Sequence, residues 1–298
     1  MMSPQQPLIS IITVNYNGVS DTLELIDSLK QLSYTNWELI VVDNASEEDP
    51  KSKILAKLPN CKVLVLPENL GFAGGNNKGI EIAEGSYCFF VNNDTWIVDG
   101  CLETLVKTAS ELPNLGAISP KFQFYHDKGT IEFAGCTKIN RLTARNGALH
   151  HGEKDTGITG LIKTHYAHGA GMLVPMDIIK KVGPMLDDYF LYYEEMDWCE
   201  RIRRSGYDIY CQRDALIYHK ESATVGKLNP LKTYYLNRNR IWFMLRNYPF
   251  PRNVTFLLFL CFISFPVNVL RFSINREWDH LKAYTKGVFW HLNHNLTY

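Results

Sequence analysis

Four times in the first hundred residues a short apolar, β-rich run closes on asparagine or aspartate and gives way to a helical period, and few architectures accommodate that rhythm. The first run, residues 8–14, closes on Asn15-Tyr16-Asn17, after which Leu23, Ile26, Leu29 and Leu32 recur at helical spacing. WELIVV closes on Asp43-Asn44-Ala45-Ser46 and precedes a helical stretch at 52–58. CKVLVLP leads through a Gly-rich turn at 69–77 into NKGIEIAEG, and YCFFV closes on Asn92-Asn93-Asp94 before CLETLVKTASEL. Buried strands alternating with helices imply right-handed crossovers and a parallel sheet covered on both faces. The expected fold class is α/β, with a Rossmann-like mixed but mainly parallel sheet. Beyond Leu115 shorter strand candidates (LGAISPKF, IEFAGCTKI, GMLVP, DALIYH) extend the sheet and wall a cleft, and the polar, Gly-rich 146–160 reads as a mobile loop.

The last third differs. Net charge over the chain is zero, yet residues 201–298 carry fifteen Lys/Arg against five Asp/Glu. The apolar run 254–270 sits at the short limit of the ~17–25 residues that cross a bilayer and contains Thr255, Ser264, Pro266 and Asn268. An interfacial or protein-packed helix pair is expected rather than a span. Arg252 and Arg271 at its ends and the basic excess suit peripheral contact with an anionic membrane. A soluble helical subdomain or a homo-oligomer interface is the alternative. NRNRIWFMLRN interleaves bases with aromatics, but zero net charge and the lack of a motif argue for no nucleic acid partner. Arg238 and Arg240 are instead expected at a diphosphate or at lipid headgroups. Seven scattered cysteines without a C-x-x-C pair fit reduced thiols, and MMSPQQPLIS lacks the basic and apolar regions of a signal peptide. A cytoplasmic protein, peripheral at the inner face of the membrane, is the resulting expectation.

Ligands of open α/β sheets bind at the carboxyl ends of the strands. Asn15, Asn17, Asp43, Asn44, Asn69, Asn93 and Asp94 all fall there, although each alone is an ordinary turn former. NLGFAGGNNKG matches neither the dinucleotide nor the P-loop fingerprint, which disfavours NAD and ATP. Its glycines, Gly71 included, permit close approach of backbone to a ligand or a neighbouring strand, with Asn76 and Asn77 near the next helix start. Asp94 suits a hard divalent cation whose other ligands come from a diphosphate. His219, in DALIYHKES, is the candidate helper, with a satisfied structural histidine as the alternative. In YFLYYEEMDWCERIRRSGY three carboxylates, Glu194, Glu195 and Asp197, follow an aromatic run, and burying unpaired carboxylates is costly enough to require a reason. Asp197 and Arg201, like Glu200 and Arg204, are spaced for ordinary helix pairs.

In this order, TVNYN, VVDNAS, NLGFAGGNN, NNDT, GAGMLV, YEEMDWCERIRRSGY and YHKES resemble the family 2 glycosyltransferases of the GT-A fold, in particular the bacterial branch labelled rhamnosyltransferase-like, over about 9–245. The resemblance implies a catalytic domain at 1–228, with a nucleotide-sugar half at about 8–115 and an acceptor half at about 116–228, followed by a helical region at 229–298. It implies an inverting transfer from a nucleoside-diphosphate sugar, a UDP- or dTDP-sugar with dTDP-rhamnose among them, to a saccharide or lipid-linked acceptor in cell-surface polysaccharide synthesis. A divalent cation, Mn or Mg, is the implied cofactor. Asp43 then accepts from the imide N–H of the base, the other strand-end residues with Gly71, Asn76 and Asn77 bind the donor, and Asp94 with His219 holds the cation. Gly169, Gly171, Tyr193, Asp197 and Trp198 fall on the acceptor or sugar side, where His165 and His168 are further candidates. Glu194-Glu195 fills the family's Glu-Asp motif, whose second acid is the usual base; a glutamate there leaves Glu195 and Glu194 both open. Asn92-Asn93-Asp94 supplies one acid where the family has two. A catalytically silent sugar-nucleotide or carbohydrate-binding module is the alternative, whereas a sugar nucleotidyltransferase would need a Gly-rich basic loop after the first strand.

Overall fold

The computed structural model describes residues 6–220 and 229–292. Strands and helices alternate as β1 (Ile9–Asn15), α1 (Val19–Leu29), β2 (Trp37–Asp43), α2 (Lys51–Lys57), β3 (Lys62–Val65), α3 (Gly71–Glu81) and β4 (Tyr87–Val91). After β5 (Thr95–Ile97) and α4 (Cys101–Glu111) come β6 (Leu115–Phe124), β7 (Ile131–Phe133), β8 (Leu161–Thr164), β9 (Gly171–Pro175), α5 (Met176–Val182), α6 (Glu194–Arg204) and β10 (Asp208–His219). Four helices follow: α7 (Pro230–Asn247), α8 (Val254–Phe259), α9 (Phe265–Ile274) and α10 (Trp278–Phe289).

The strands form one mixed sheet in the order β3-β2-β1-β4-β9-β6-β10-β5, with β7 added to β6 and β8 to β10. β1 lies parallel to both β2 and β4, so the direction of winding reverses between β1 and β4. Such a reversal opens a crevice at the carboxyl ends of the strands. β9 enters antiparallel between β4 and β6 and supplies the far wall.

Two elements differ from the sequence expectation. The glycine-rich segment is not a turn: α3 starts at Gly71 and carries Gly74, Gly75 and Gly79 inside it. Each internal glycine costs about 1 kcal/mol of helix propensity. Close packing on β1 requires two of them, because a Cβ on Gly79 would stand 2.4 Å from the Ile12 side chain and one on Gly75 2.9 Å from Val14, while Gly74 makes room for Leu70. The 254–270 run extends further than expected, to Ile274, and packs on α10 through the Phe265–Tyr284 stack at 5.9 Å. α8, a π-helical turn at Leu260–Ser264 and α9 form one helical rod over Val254–Ile274, of mean hydropathy 2.0 and only 17% buried, long and apolar enough to cross a membrane. Leu258, Phe262, Ile263, Val267, Leu270 and Ile274 are exposed along it. All seven cysteines are free, and Cys261 in this rod is the exposed one.

Candidate active site

A cavity of about 700 Å³ opens at the reversal between β1 and β4. Val14 and Tyr16 line it from β1, Asn44 from β2 and Asn92, Asn93 and Asp94 from β4; His168, Gly169 and Ala170 face them from the start of β9, and Glu194 and Glu195 from the start of α6.

One corner gathers an acid and an imidazole. Antiparallel pairing of β5 with β10 sets Thr95 opposite His219, which carries Asp94 to the same place. His219 Nε2 lies 3.3 Å from Asp94 Oδ1 yet, though buried, has no hydrogen-bond partner, while Nδ1 is bonded to Glu132 Oε1 at 2.8 Å. Burial opposes charge on His219, but the two carboxylates outweigh it and push its pKa up to about 10. Glu132 sits on β7 and is itself buried; nothing in the sequence reading pointed to it. It stands 3.7 Å from His168 Nε2, and His168 Nδ1 accepts from the Ala170 amide at 3.1 Å.

The other corner holds the two carboxylates. Tyr193, in the left-handed region at φ 75°, turns the chain into α6, so that Glu194 and Glu195 occupy its first turn, where the helix dipole favours negative charge. Burial still dominates. It raises the Glu194 pKa well above the usual carboxylate range, with the neighbouring Glu195 adding repulsion, and it raises Glu195 as well. Glu194 Oε2 is buried without a partner, whereas Glu195 is the more open of the two. Gly169 adjoins Glu195, at a distance where an added Cβ would make ordinary van der Waals contact, 3.5 Å from Cγ.

Asn44, Asn69, Gly71, Asn93, Asp94, Gly169, Glu194, Glu195 and His219 therefore line one cavity. His168 lies in the lining too, and twelve other candidates, His165, Arg238 and Arg240 among them, stand outside it. Asn15 donates to Asp43 Oδ1 at 2.7 Å and accepts from Thr22 Oγ1 at 2.9 Å, tying strand ends together. The Asp43 carboxylate, fully buried, also takes the amide and hydroxyl of Ser46, which with Asn15 makes three bonds of the roughly four it can accept. Asn17 caps the same loop by accepting from the Glu47 amide. Since α3 begins early, Asn76 lies within it and bonds Phe72 O, and Asn77 reaches Met185 O, away from the helix start expected for both.

On the acceptor side four candidates sit in the packing behind the cavity, and Asp197 makes the helix pair with Arg201 that its spacing implies. Trp198 is fully buried, donates to Gly183 O and packs edge-on against Phe90 at 5.4 Å. Asp197, also fully buried, binds Arg201 at 3.0 Å and Asn247 at 2.8 Å, which makes it a tie between α6 and α7. Gly171 packs on Phe122, and the Tyr193 hydroxyl donates to Ala144 O. Arg238 and Arg240, expected to face anions, are buried: the first donates to Tyr189 O and the second to Ser264 Oγ.

A sequence model of glycosyl transferase family 2 matches residues 10–183, more than half of the chain. A low-salt glycan biosynthesis hexosyltransferase of Haloferax volcanii is 25% identical over 256 residues, covering 83% of this chain and 78% of that one. Among solved structures, GalNAc-T7 with UDP, GalNAc and Mn2+ matches at a TM-score of 0.65 and 11% identity, over 89% of this chain and 58% of its own. The mannosyltransferase of Pyrobaculum calidifontis in complex with GDP-Man and Mn2+ matches at 0.57 and 15% identity, over 98% and 77%. At such identities these two structures establish the shared GT-A fold.

Proposed function

Because the chain belongs to glycosyl transferase family 2, we propose that the cavity binds a nucleoside-diphosphate sugar and passes the sugar, with inversion, to a hydroxyl of a saccharide or lipid-linked acceptor. The observation that carries this reading is the pairing of two desolvated carboxylates at the start of α6 with an acid–imidazole corner across the same cavity. Glu195, open to the cavity and of raised basicity, takes the acceptor proton as the acceptor oxygen bonds to C1. The C1–O bond to the diphosphate breaks with its electron pair on the leaving group. Glu194, more deeply buried, shapes the pocket around Glu195 and keeps water from it.

The residues present fit a divalent cation. His219 offers a buried Nε2 without a hydrogen-bond partner beside Asp94, and Glu132 orients the ring from its other nitrogen, the usual support of a metal-binding histidine. Among the described residues no group of three or more His, Cys, Asp or Glu converges, so diphosphate oxygens complete the set. A bound cation offsets the charge that develops on the leaving diphosphate. UDP- and dTDP-sugars are the proposed donors, and Mn or Mg the ion. UDP with Mn2+ in one solved relative and GDP-Man with Mn2+ in the other support a nucleotide-sugar donor and a divalent cation.

The exposed apolar rod over Val254–Ile274 and the basic excess of residues 201–298 support a peripheral seat on the anionic cytoplasmic leaflet, where lipid-linked acceptors would be at hand. A binding and turnover panel of UDP-, dTDP- and GDP-sugars, with and without Mn2+, tests the reading. Ion-dependent binding that is lost in Asp94→Ala supports it; no binding of any sugar nucleotide overturns it.

A further inference from the structure

The two acids owe their placement to a backbone that ordinary residues avoid. Phe190 (φ 62°), Tyr192 (φ 70°) and Tyr193 (φ 75°) all sit at positive φ, none of them glycine. At Phe190 the dihedrals (62°, −56°) and the 2.7 Å bond from the Leu191 amide to Tyr189 O describe a γ-turn of the strained hand. Conformations of this kind persist only where the surroundings over-determine them.

The surroundings here are one face of α7. The Asn239 side chain, fully buried, points Nδ2 at three successive turns of the loop: Tyr189 O at 2.9 Å, Leu191 O at 2.8 Å and Tyr192 O at 2.8 Å. Arg238 donates from Nε to Asn239 Oδ1 at 2.7 Å, which fixes the amide with its donors toward the loop, and its Nη2 reaches Asp188 O and Tyr189 O. Tyr235 stacks on Phe190 at 5.0 Å and Trp242 on Tyr189 at 4.5 Å, so residues 235, 238, 239 and 242 face the loop at helical spacing. From the opposite side the Phe72 amide donates to Phe190 O at 2.7 Å.

We propose that Asn239, its amide fixed by Arg238, is a positioning residue for the transfer reaction: it imposes the 189–193 backbone that aims Glu194 and Glu195 into the cavity. It touches neither donor nor acceptor. Its effect therefore falls on the chemical step and spares donor binding, because displacing a reacting group by about 1 Å can cost roughly a hundredfold in rate. The inference rests on the transferase reading.

Asn239→Asp keeps the shape and removes the donors. The expected result is a fall in kcat of at least about tenfold with the donor KM within about twofold of wild type, the signature of an interaction lost in the transition state alone. Arg238→Lys, which keeps charge and stem but loses the planar fork, is expected to lower kcat in the same direction by a smaller factor. Met244→Ala, a fully buried residue of α7 outside the clamp, sets the scale for plain destabilisation: its Tm falls while kcat holds. A folded Asn239→Asp with wild-type kcat overturns the proposal, and if that variant does not fold, an unchanged kcat in Arg238→Lys does so. Parallel loss of Tm and kcat in Met244→Ala also overturns it, since the effect would then be general. A wild-type protein that turns over no sugar nucleotide removes the reading beneath the inference and the inference with it.

Discussion

Glu132 holds His219 from behind: its carboxylate accepts from Nδ1 at 2.8 Å, which leaves Nε2 facing Asp94. In Glu132→Gln the amide no longer selects that tautomer. Loss of such a support typically weakens metal affinity by about 10–100-fold, and this is the expected fall in Mn2+ affinity by titration calorimetry in the presence of saturating UDP. Equal affinity in the variant would show that Glu132 serves packing alone.

Since the flanking acids Asp94 and Glu132 outweigh burial and hold the His219 pKa at about 10, an incoming cation must displace a proton from the ring. Mn2+ binding near neutral pH should therefore release about one proton, read from the dependence of the binding enthalpy on the buffer's ionisation enthalpy. Asp94→Ala and His219→Ala should both abolish the release.

Glu195→Gln should leave sugar-nucleotide binding intact and reduce turnover by about 10²–10⁴-fold, the usual worth of a general base. Because burial raises the Glu195 pKa, the acid limb of kcat/KM should have its midpoint above the ~4.3 of a free glutamate. A midpoint at or below that value would move the base elsewhere.

Glu194 makes the stability prediction. Its folded pKa lies above the unfolded one, so its stabilising contribution is complete below about pH 4.3 and is lost as pH rises toward the folded value. Glu194→Gln escapes that loss. Its stability advantage over wild type, read as a Tm difference at each pH, should grow as pH rises above about 4.3.

The exposed rod predicts partition onto vesicles. Phe262, 75% exposed, should insert. Phe262→Asp is expected to weaken binding to anionic vesicles by more than about tenfold, in line with the ~1.5–3 kcal/mol for burying a large apolar side chain, with Tm unchanged. Wild type that ignores anionic vesicles at low salt would point to another occupant of this face.

The strands and their polar ends were legible because buried parallel strands write continuous apolar runs and their polar groups collect at one edge. Period alone brought Asn44, Asp94 and His219 to a common cavity. Glu132 escaped, since it stands 87 residues from His219 on a three-residue strand whose pairing no local pattern announces. α3 escaped for the opposite reason: three glycines argue against a helix locally, and only the contact of Gly75 and Gly79 with β1 and of Gly74 with Leu70 shows why they are there. Arg238 and Arg240 read by charge as groups facing a ligand, and Asn239 between them carries no local signal at all. What a basic side chain faces depends on burial, and burial of α7 against the 189–193 loop is a long-range fact.

The thiols give the molecule an unplanned handle. Six cysteines are buried, and burial pushes Cys61, Cys88, Cys199 and Cys211 up to about 12, far from the reactive thiolate. Cys261 alone is open to solvent, and it lies in the apolar rod. A polarity-sensitive fluorophore applied to the unmodified protein should thus attach at one address, and its emission would report, without any engineered residue, what that face meets.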